Sequence, residues 1–237
     1  MIDDAVVLIP FAGDGQAERM SSLDWCRNRW TSLGLATHVA PGALPWSKGL
    51  AIQEALHYIP PRHRTLIIAD ADVWIRRFDL TRLDHCERFA YEHGSWAVPA
   101  ARVIRLTPAR SSWLKCRTDA EVDGWEHVPD DFAEPVHRQH PGGGLTVVHR
   151  DAYAYAPMDP RFIGWGHEDD AWSYALHTLI GEPLHAAGTL YHLWHQPQER
   201  QTRIHGSEAN RALYSRYADA RGDRHATRAI IDEWRTP

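Results

Sequence analysis

Three short runs in this 237-residue chain carry most of its chemically capable side chains: Asp70-Ala71-Asp72, Gly164-Trp165-Gly166-His167-Glu168-Asp169-Asp170 and His192-Leu193-Trp194-His195. In an extended chain, residues two apart point the same way, so Asp70 and Asp72 should emerge together from the end of the buried stem Leu66-Ile67-Ile68-Ala69. A hard divalent cation takes such oxygen ligands and keeps positions open for phosphate oxygens. A turn capped by two acidic residues is the bland alternative. In the second run, Gly164 and Gly166 free the backbone on either side of Trp165, whose flat ring suits a sugar face. Glu168, Asp169 and Asp170 then open a helix. One carboxylate would satisfy the free N–H groups and dipole there, so three imply work beyond capping, such as accepting a hydroxyl proton. In the third run, histidines three apart on a regular strand face opposite ways. His195, where the strand gives way to Gln196-Pro197, is the expected metal ligand, and His192 joins it only if the strand kinks.

The elements that must position these groups read as alternating strands and helices. Ala5–Phe11 is a continuous apolar run, as in a strand buried on both faces. Helical spacing follows over 18–33, stopped by Gly34, and a short strand spans 35–39. Ser47 is placed to cap a helix over 48–59 that Pro60-Pro61 ends. A strand at 65–69, a helix at 80–93 closed by Gly94 and a strand at 96–98 complete the first half. Residues 100–139 have little periodicity and read as loop. Within them Arg102, Arg105, Arg110, Lys115 and Arg117 form a locally basic stretch that could cover an anionic acceptor or be merely solvated. Strands at 144–148 and 189–194 and helices at 150–155, 168–180, 208–220 and 225–234 follow. This alternation predicts an α/β fold with a mostly parallel sheet and flanking helices, whose ligands lie beyond the carboxyl ends of the strands.

Composition narrows the function. An apolar share of 43% supports a real core, and a net charge of −5 argues against a general nucleic-acid binder. Three cysteines, Cys26, Cys86 and Cys116, offer no CxxC pair and hence neither a disulfide framework nor a zinc knuckle. The start lacks a basic leader and no run reaches membrane-helix length, so a soluble cytoplasmic protein is expected. Eleven tryptophans are many for this length, and most are expected in the core.

The segments Gly143-Gly-Leu-Thr-Val-Val-His-Arg-Asp-Ala-Tyr153 and Phe162-Ile-Gly-Trp-Gly-His-Glu-Asp-Asp170 resemble the galactosyltransferase-type C-terminal segment of β-1,4-galactosyltransferases and chondroitin-polymerase-type enzymes. Asp70 to Asp72 and His195 follow in the same order. Ile9-Pro10-Phe11 and Ser47-Lys48-Gly-Leu-Ala51 are similar to the donor-binding start of those enzymes. The resemblance implies one GT-A domain over 1–237, with a nucleotide-sugar half (1–99) and an acceptor and catalytic half (140–237). It implies a Mn²⁺ or Mg²⁺ ion on Asp72 and His195, with His192 as a further ligand. Pro10, Phe11, Arg19, Lys48, Asp70, Asp72, Gly143, Gly144 and Trp165 would contact a nucleotide-diphosphate sugar, with UDP favoured. Trp165, Glu168 and Asp170 would meet the acceptor, a glycan or a modified DNA base, and Asp169 would be the general base of an inverting transfer. Ala12-Gly13-Asp14 stands where such enzymes usually carry a basic residue after the Pro-Phe pair. The rival expectations are a metal-dependent phosphoesterase or nuclease using Asp72, Asp169, Asp170 and His195, and an inactive sugar-nucleotide-binding module.

Overall fold

The computed structural model describes residues 4–12, 17–124, 133–135, 143–196 and 207–235. Strands β1 (Ala5–Ala12), β2 (Ala36–Gly42), β3 (Thr65–Ala69), β4 (Val73–Trp74), β5 (Trp96–Arg105), β6 (Ala133–Pro135), β7 (Leu145–His149) and β8 (Leu184–His192) form one sheet. Helices α1 (Ala17–Ser32), α2 (Lys48–Leu56), α3 (Leu80–His93), α4 (Pro108–Lys115), α5 (Asp119–Asp123), α6 (Arg150–Tyr155), α7 (Glu168–Leu179), α8 (Glu208–Asp219) and α9 (Arg224–Arg235) accompany it. The sheet order is β2-β1-β3-β7-β5-β8-β4, with β6 on β5.

The α/β class is as expected, and the sheet is mixed. β1 runs parallel to β2 and β3, and β5 parallel to β8. β7 enters antiparallel between β3 and β5, and β4 lies antiparallel on β8. Periodicity reveals that a segment is a buried strand; its direction depends on where the connection brings the chain back. Inserting β7 brings Gly143 and Gly144 beside the end of β3, where Asp70 N–H donates to the Gly144 carbonyl at 2.9 Å.

Alternation along the strands builds two cores. Val7, Ile9, Phe11, Ile67 and Ala69 face one side with Leu23 and Trp30 of α1 and Leu83 of α3. Val6, Leu8, Leu66 and Ile68 face the other with Ile52 of α2, Trp172 of α7 and Ile231 of α9. Trp30, Trp74, Trp96 and Trp172 are buried in these cores, and Trp25, Trp46 and Trp234 pack partly buried against them, whereas Trp113 and Trp165 are exposed. Each fully buried ring removes roughly 150–250 Å² from water, on the order of 4–6 kcal/mol of favourable burial.

Local signals set several boundaries as read. The Ser47 side chain accepts from Leu50 N–H at the start of α2, and Gly94 closes α3 in the left-handed conformation. Residues 100–124 are more ordered than expected. β5 runs on to Arg105, α4 starts at Pro108 after a Thr107 cap, and α5 carries a Thr118–Glu121 capping box. The remainder of that stretch, 133–135 apart, lies outside the described residues. Among those described, no helix is long and apolar enough to cross a membrane.

Candidate active site

β3 stops at Ala69, and the chain turns at once, Val73 N–H donating to the Asp70 carbonyl at 3.3 Å. Strand parity therefore lapses at the acidic pair, and its two carboxylates serve two different clusters instead of emerging together.

Asp72 faces the end of β8. Its carboxylate oxygens lie 3.6 Å from His192 Nε2 and 3.3 Å from His195 Nε2, and one ligand atom from each residue falls within 4.8 Å of the others. The parity argument against His192 does not apply, because β8 ends at that residue and Leu193 onward leaves the strand. Backbone bonds fix the bend: Leu193 N–H donates to the Asp72 carbonyl at 2.8 Å, and Trp194 N–H to Ser111 Oγ on α4 at 2.7 Å. His195 Nδ1 lies 2.9 Å from the Gln196 carbonyl, which leaves Nε2 directed at Asp72. One carboxylate and two imidazoles suit a borderline divalent cation, and three ligands on one side leave coordination positions for a substrate. The donor set thus fits the ion that the sequence implied.

Asp70 turns the other way. Lys48 Nζ donates to Asp70 Oδ1 and to Asp169 Oδ1, both at 2.8 Å, tying the first turn of α2 to the end of β3 and the first turn of α7. The Lys48 side chain is 8% exposed, against 36% for Asp70 and 26% for Asp169. Burial alone would lower the lysine pKa; the Asp169, Asp70 and Glu168 carboxylates more than reverse it and hold the ammonium well above its ordinary value. Burial, helped by the nearby Glu168 and Asp70 charges and opposed by Lys48, pushes the Asp169 carboxyl up to about 7. Burial likewise raises Glu168. The other Asp169 oxygen, Oδ2, lies over Gly143, where a Cβ would approach it to 3.6 Å. Gly144, at φ +82°, is a turn that an L side chain would strain, and its Cβ would crowd Leu190 at 3.0 Å.

The loop before α7 holds Trp165, a residue 47% exposed. Gly164, Gly166 and the non-glycine His167 have φ values of 77°, 115° and 70°, so three of four consecutive residues are left-handed. Gly164 N–H donates to the Trp46 carbonyl at 2.7 Å, and Gly166 N–H to Glu168 Oε2 at 2.9 Å. Asp170 points back toward His167, 3.9 Å away. Sequence reasoning missed the other support, Asn210 and Tyr214 of α8. Asn210 hydrogen-bonds the backbone of Ile163 and Gly166, and the Tyr214 ring stacks on His167 at 4.6 Å between centroids. Asn210 shares an i, i+3, i+4, i+7 stripe with Leu213, Tyr214 and Tyr217, so its inward face was legible in the sequence, whereas its loop partners, far off along the chain, were not.

Pro10 and Phe11 are buried at the end of β1, with the Arg19 guanidinium 5.7 Å from the Phe11 ring centre. Gly13 and Asp14 lie outside the described residues. Where it is described, the basic stretch is ordered and not loop, with Arg102, Arg105 and Arg117 exposed to solvent: Arg102 and Arg105 sit on β5, Lys115 Nζ donates to Ser22 Oγ at 2.9 Å, and Arg117 donates to Glu121 at 3.3 Å. Among the described residues, the group that could hold a cation is Asp72, His192 and His195, without Asp169 or Asp170. The four residues of the nuclease expectation, Asp72, Asp169, Asp170 and His195, do not come together in one such group among the described residues.

No protein-family model matches the sequence, and no curated protein matches it either. Solved structures do. The catalytic domain of Drosophila β1,4-galactosyltransferase 7, in complex with xylobiose, superposes with a TM-score of 0.50 at 16% identity, over 87% of this chain and 79% of that one. A mutant of the same Drosophila enzyme with manganese, UDP-Gal and xylobiose gives 0.47 at 15%, over 87% and 82%. Glucosyl-3-phosphoglycerate synthase from Mycobacterium tuberculosis, with Mg²⁺ and UDP, gives 0.48 at 12%, over 92% and 78%. At such identities likeness speaks for architecture alone. The chain has the GT-A fold of nucleotide-sugar transferases.

Proposed function

We propose that the chain is a metal-dependent glycosyltransferase that moves a hexose or N-acetylhexosamine from a UDP-sugar to a hydroxyl group, with inversion at the anomeric carbon. The observation that carries this reading is the division of labour at the sheet's end: Asp72, His192 and His195 could hold a cation together, while Asp169, half-buried and with its carboxyl pKa raised, stands apart from them. A nuclease would merge the two clusters; a transferase needs them separate, one for the leaving group and one for the attacking hydroxyl.

Asp169 takes the proton of the acceptor hydroxyl through Oδ2, since Oδ1 is engaged by Lys48. The freed oxygen pair attacks the anomeric carbon from the face opposite the diphosphate, whose bond to that carbon breaks as the new glycosidic bond forms. A divalent cation, Mn²⁺ or Mg²⁺, held by Asp72, His192 and His195 would neutralise the charge developing on the departing diphosphate. Gly143 and Gly144 leave the sugar room beside Asp169, and Trp165 offers its ring to the acceptor or the donor sugar. Glu168 and Asp170 would meet acceptor hydroxyls. Pro10 and Phe11 at the end of β1, and Arg19 in the first turn of α1, would meet the nucleotide.

The test is a panel of nucleotide sugars with and without Mn²⁺, scoring slow donor hydrolysis and thermal stabilisation in the wild type and Asp72→Ala. At a ligand concentration of 100 Kd, binding should add about 2.7 kcal/mol of stability to the wild type. Asp72→Ala should lose the Mn²⁺-dependent part. Equal Mn²⁺-dependent donor stabilisation in both proteins would remove Asp72 from the metal site and the reading with it.

A further inference from the structure

Asn210 is 1% exposed, in the first turn of α8, on the face that also buries Leu213 and Tyr217. Its side-chain amide is spent on one target. Oδ1 accepts from Ile163 N–H at 3.2 Å, and Nδ2 donates to the carbonyls of Ile163 at 3.0 Å and Gly166 at 3.2 Å. These three bonds bracket Trp165. One helical turn on, at i+4 and so on the same face, Tyr214 stacks on His167 with an interplanar angle of 20°. Left-handed backbone at a non-glycine residue costs on the order of 1–3 kcal/mol and persists only where surroundings over-determine it. Asn210 and Tyr214 are those surroundings for the turn at 164–167, and that turn sets where α7 begins and hence where Glu168 and Asp169 stand.

We propose that Asn210 is a positioning residue for sugar transfer: by clamping the backbone on both sides of Trp165 it fixes the acceptor platform and the start of α7, without touching the metal corner. The inference rests on the transferase reading above. Its chemistry is specific. An aspartate of the same shape at 210 has no N–H to give and would face two carbonyl oxygens, so the isosteric change should release the loop that the amide holds.

The experiment compares wild type, Asn210→Asp, Asn210→Ala and the exposed neighbour Ser215→Ala, all in the full chain. Two measurements are made: hydrogen exchange over 162–168, with 70–74 and 189–195 as internal references, and transfer kinetics with donor affinity in Mn²⁺. Both Asn210 variants should exchange faster over 162–168 and not over the references. Because misplacement of about 1 Å can cost on the order of 10²-fold, kcat should fall by about that factor and the acceptor KM should rise. Donor affinity should fall far less than kcat, since Asn210 bonds only to the Trp165 loop and the Asp72–His192–His195 group keeps its geometry. Ser215→Ala should match wild type throughout. Unchanged exchange over 162–168, or donor affinity falling in step with kcat, overturns the assignment. If the wild type transfers no sugar while the loop is loosened in Asn210→Asp, the transferase reading falls and the clamp survives as a structural device only, which also overturns a positioning role.

Discussion

Replacing Lys48 with methionine keeps the aliphatic stem and removes the buried ammonium that joins Asp70 to Asp169. Breaking a buried ion pair from one side typically costs about 3–5 kcal/mol, because the abandoned charges keep their desolvation penalty. Asp70 and Asp169 remain partly open to water, at 36% and 26%, so the low end, about 3 kcal/mol, is the reasonable value. For a chain of this size that corresponds to a fall in Tm of roughly 6–12 °C at pH 8. The sign of the pH dependence follows from Asp169, whose folded pKa is raised above its unfolded value. Such a carboxyl favours the folded state while it is protonated, and that contribution disappears as pH rises through the folded pKa. Without Lys48 the folded pKa climbs further, so the variant gains more from acid than the wild type does. Differential scanning calorimetry in EDTA at pH 5, 6, 7 and 8 should show the Tm gap widest at pH 8 and narrowed to roughly half or less at pH 5. A gap below about 2 °C at pH 8, or one that stays flat across the series, would refute the claim that Lys48 neutralises these carboxylates.

Two further outcomes follow from the same geometry. Wild-type transfer should rise with pH through about 7 and then level off, and Asp169→Asn should lower kcat by roughly 10²- to 10⁴-fold and abolish that rise while sparing Mn²⁺-dependent donor binding; normal turnover in the variant removes Asp169 as base. At the register shift between β5 and β8, a Cβ on Gly188 would sit 2.3 Å from the Pro99 carbonyl oxygen, so Gly188→Ala should cost about 1–3 kcal/mol in urea unfolding, and an unchanged midpoint would mean that the strands part without strain.

The elements and the inventory of reactive groups were legible in the order of residues alone. Ala5–Phe11 and Thr65–Ala69 had to be two-sided strands because their apolar runs are unbroken. Ser47 and Gly94 marked helix ends because a side-chain acceptor and a left-handed turn are properties of single residues. Local spacing also made Asp72, His195 and Asp169 visible, the first two just beyond strand ends and the third in the first turn of a helix behind two glycines. What spacing could not supply was direction and partnership. That β7 runs antiparallel, that Asp70 and Asp72 part company, that His192 joins His195, and that Lys48 sits midway between two carboxylates all depend on contacts between residues 22 to 123 positions apart. Asn210, nearly fifty residues from the loop it holds, belongs to the same class. Local preference is written in neighbours along the chain. A site is assembled by whichever elements packing brings to the same end of a sheet, and only the tertiary structure decides that.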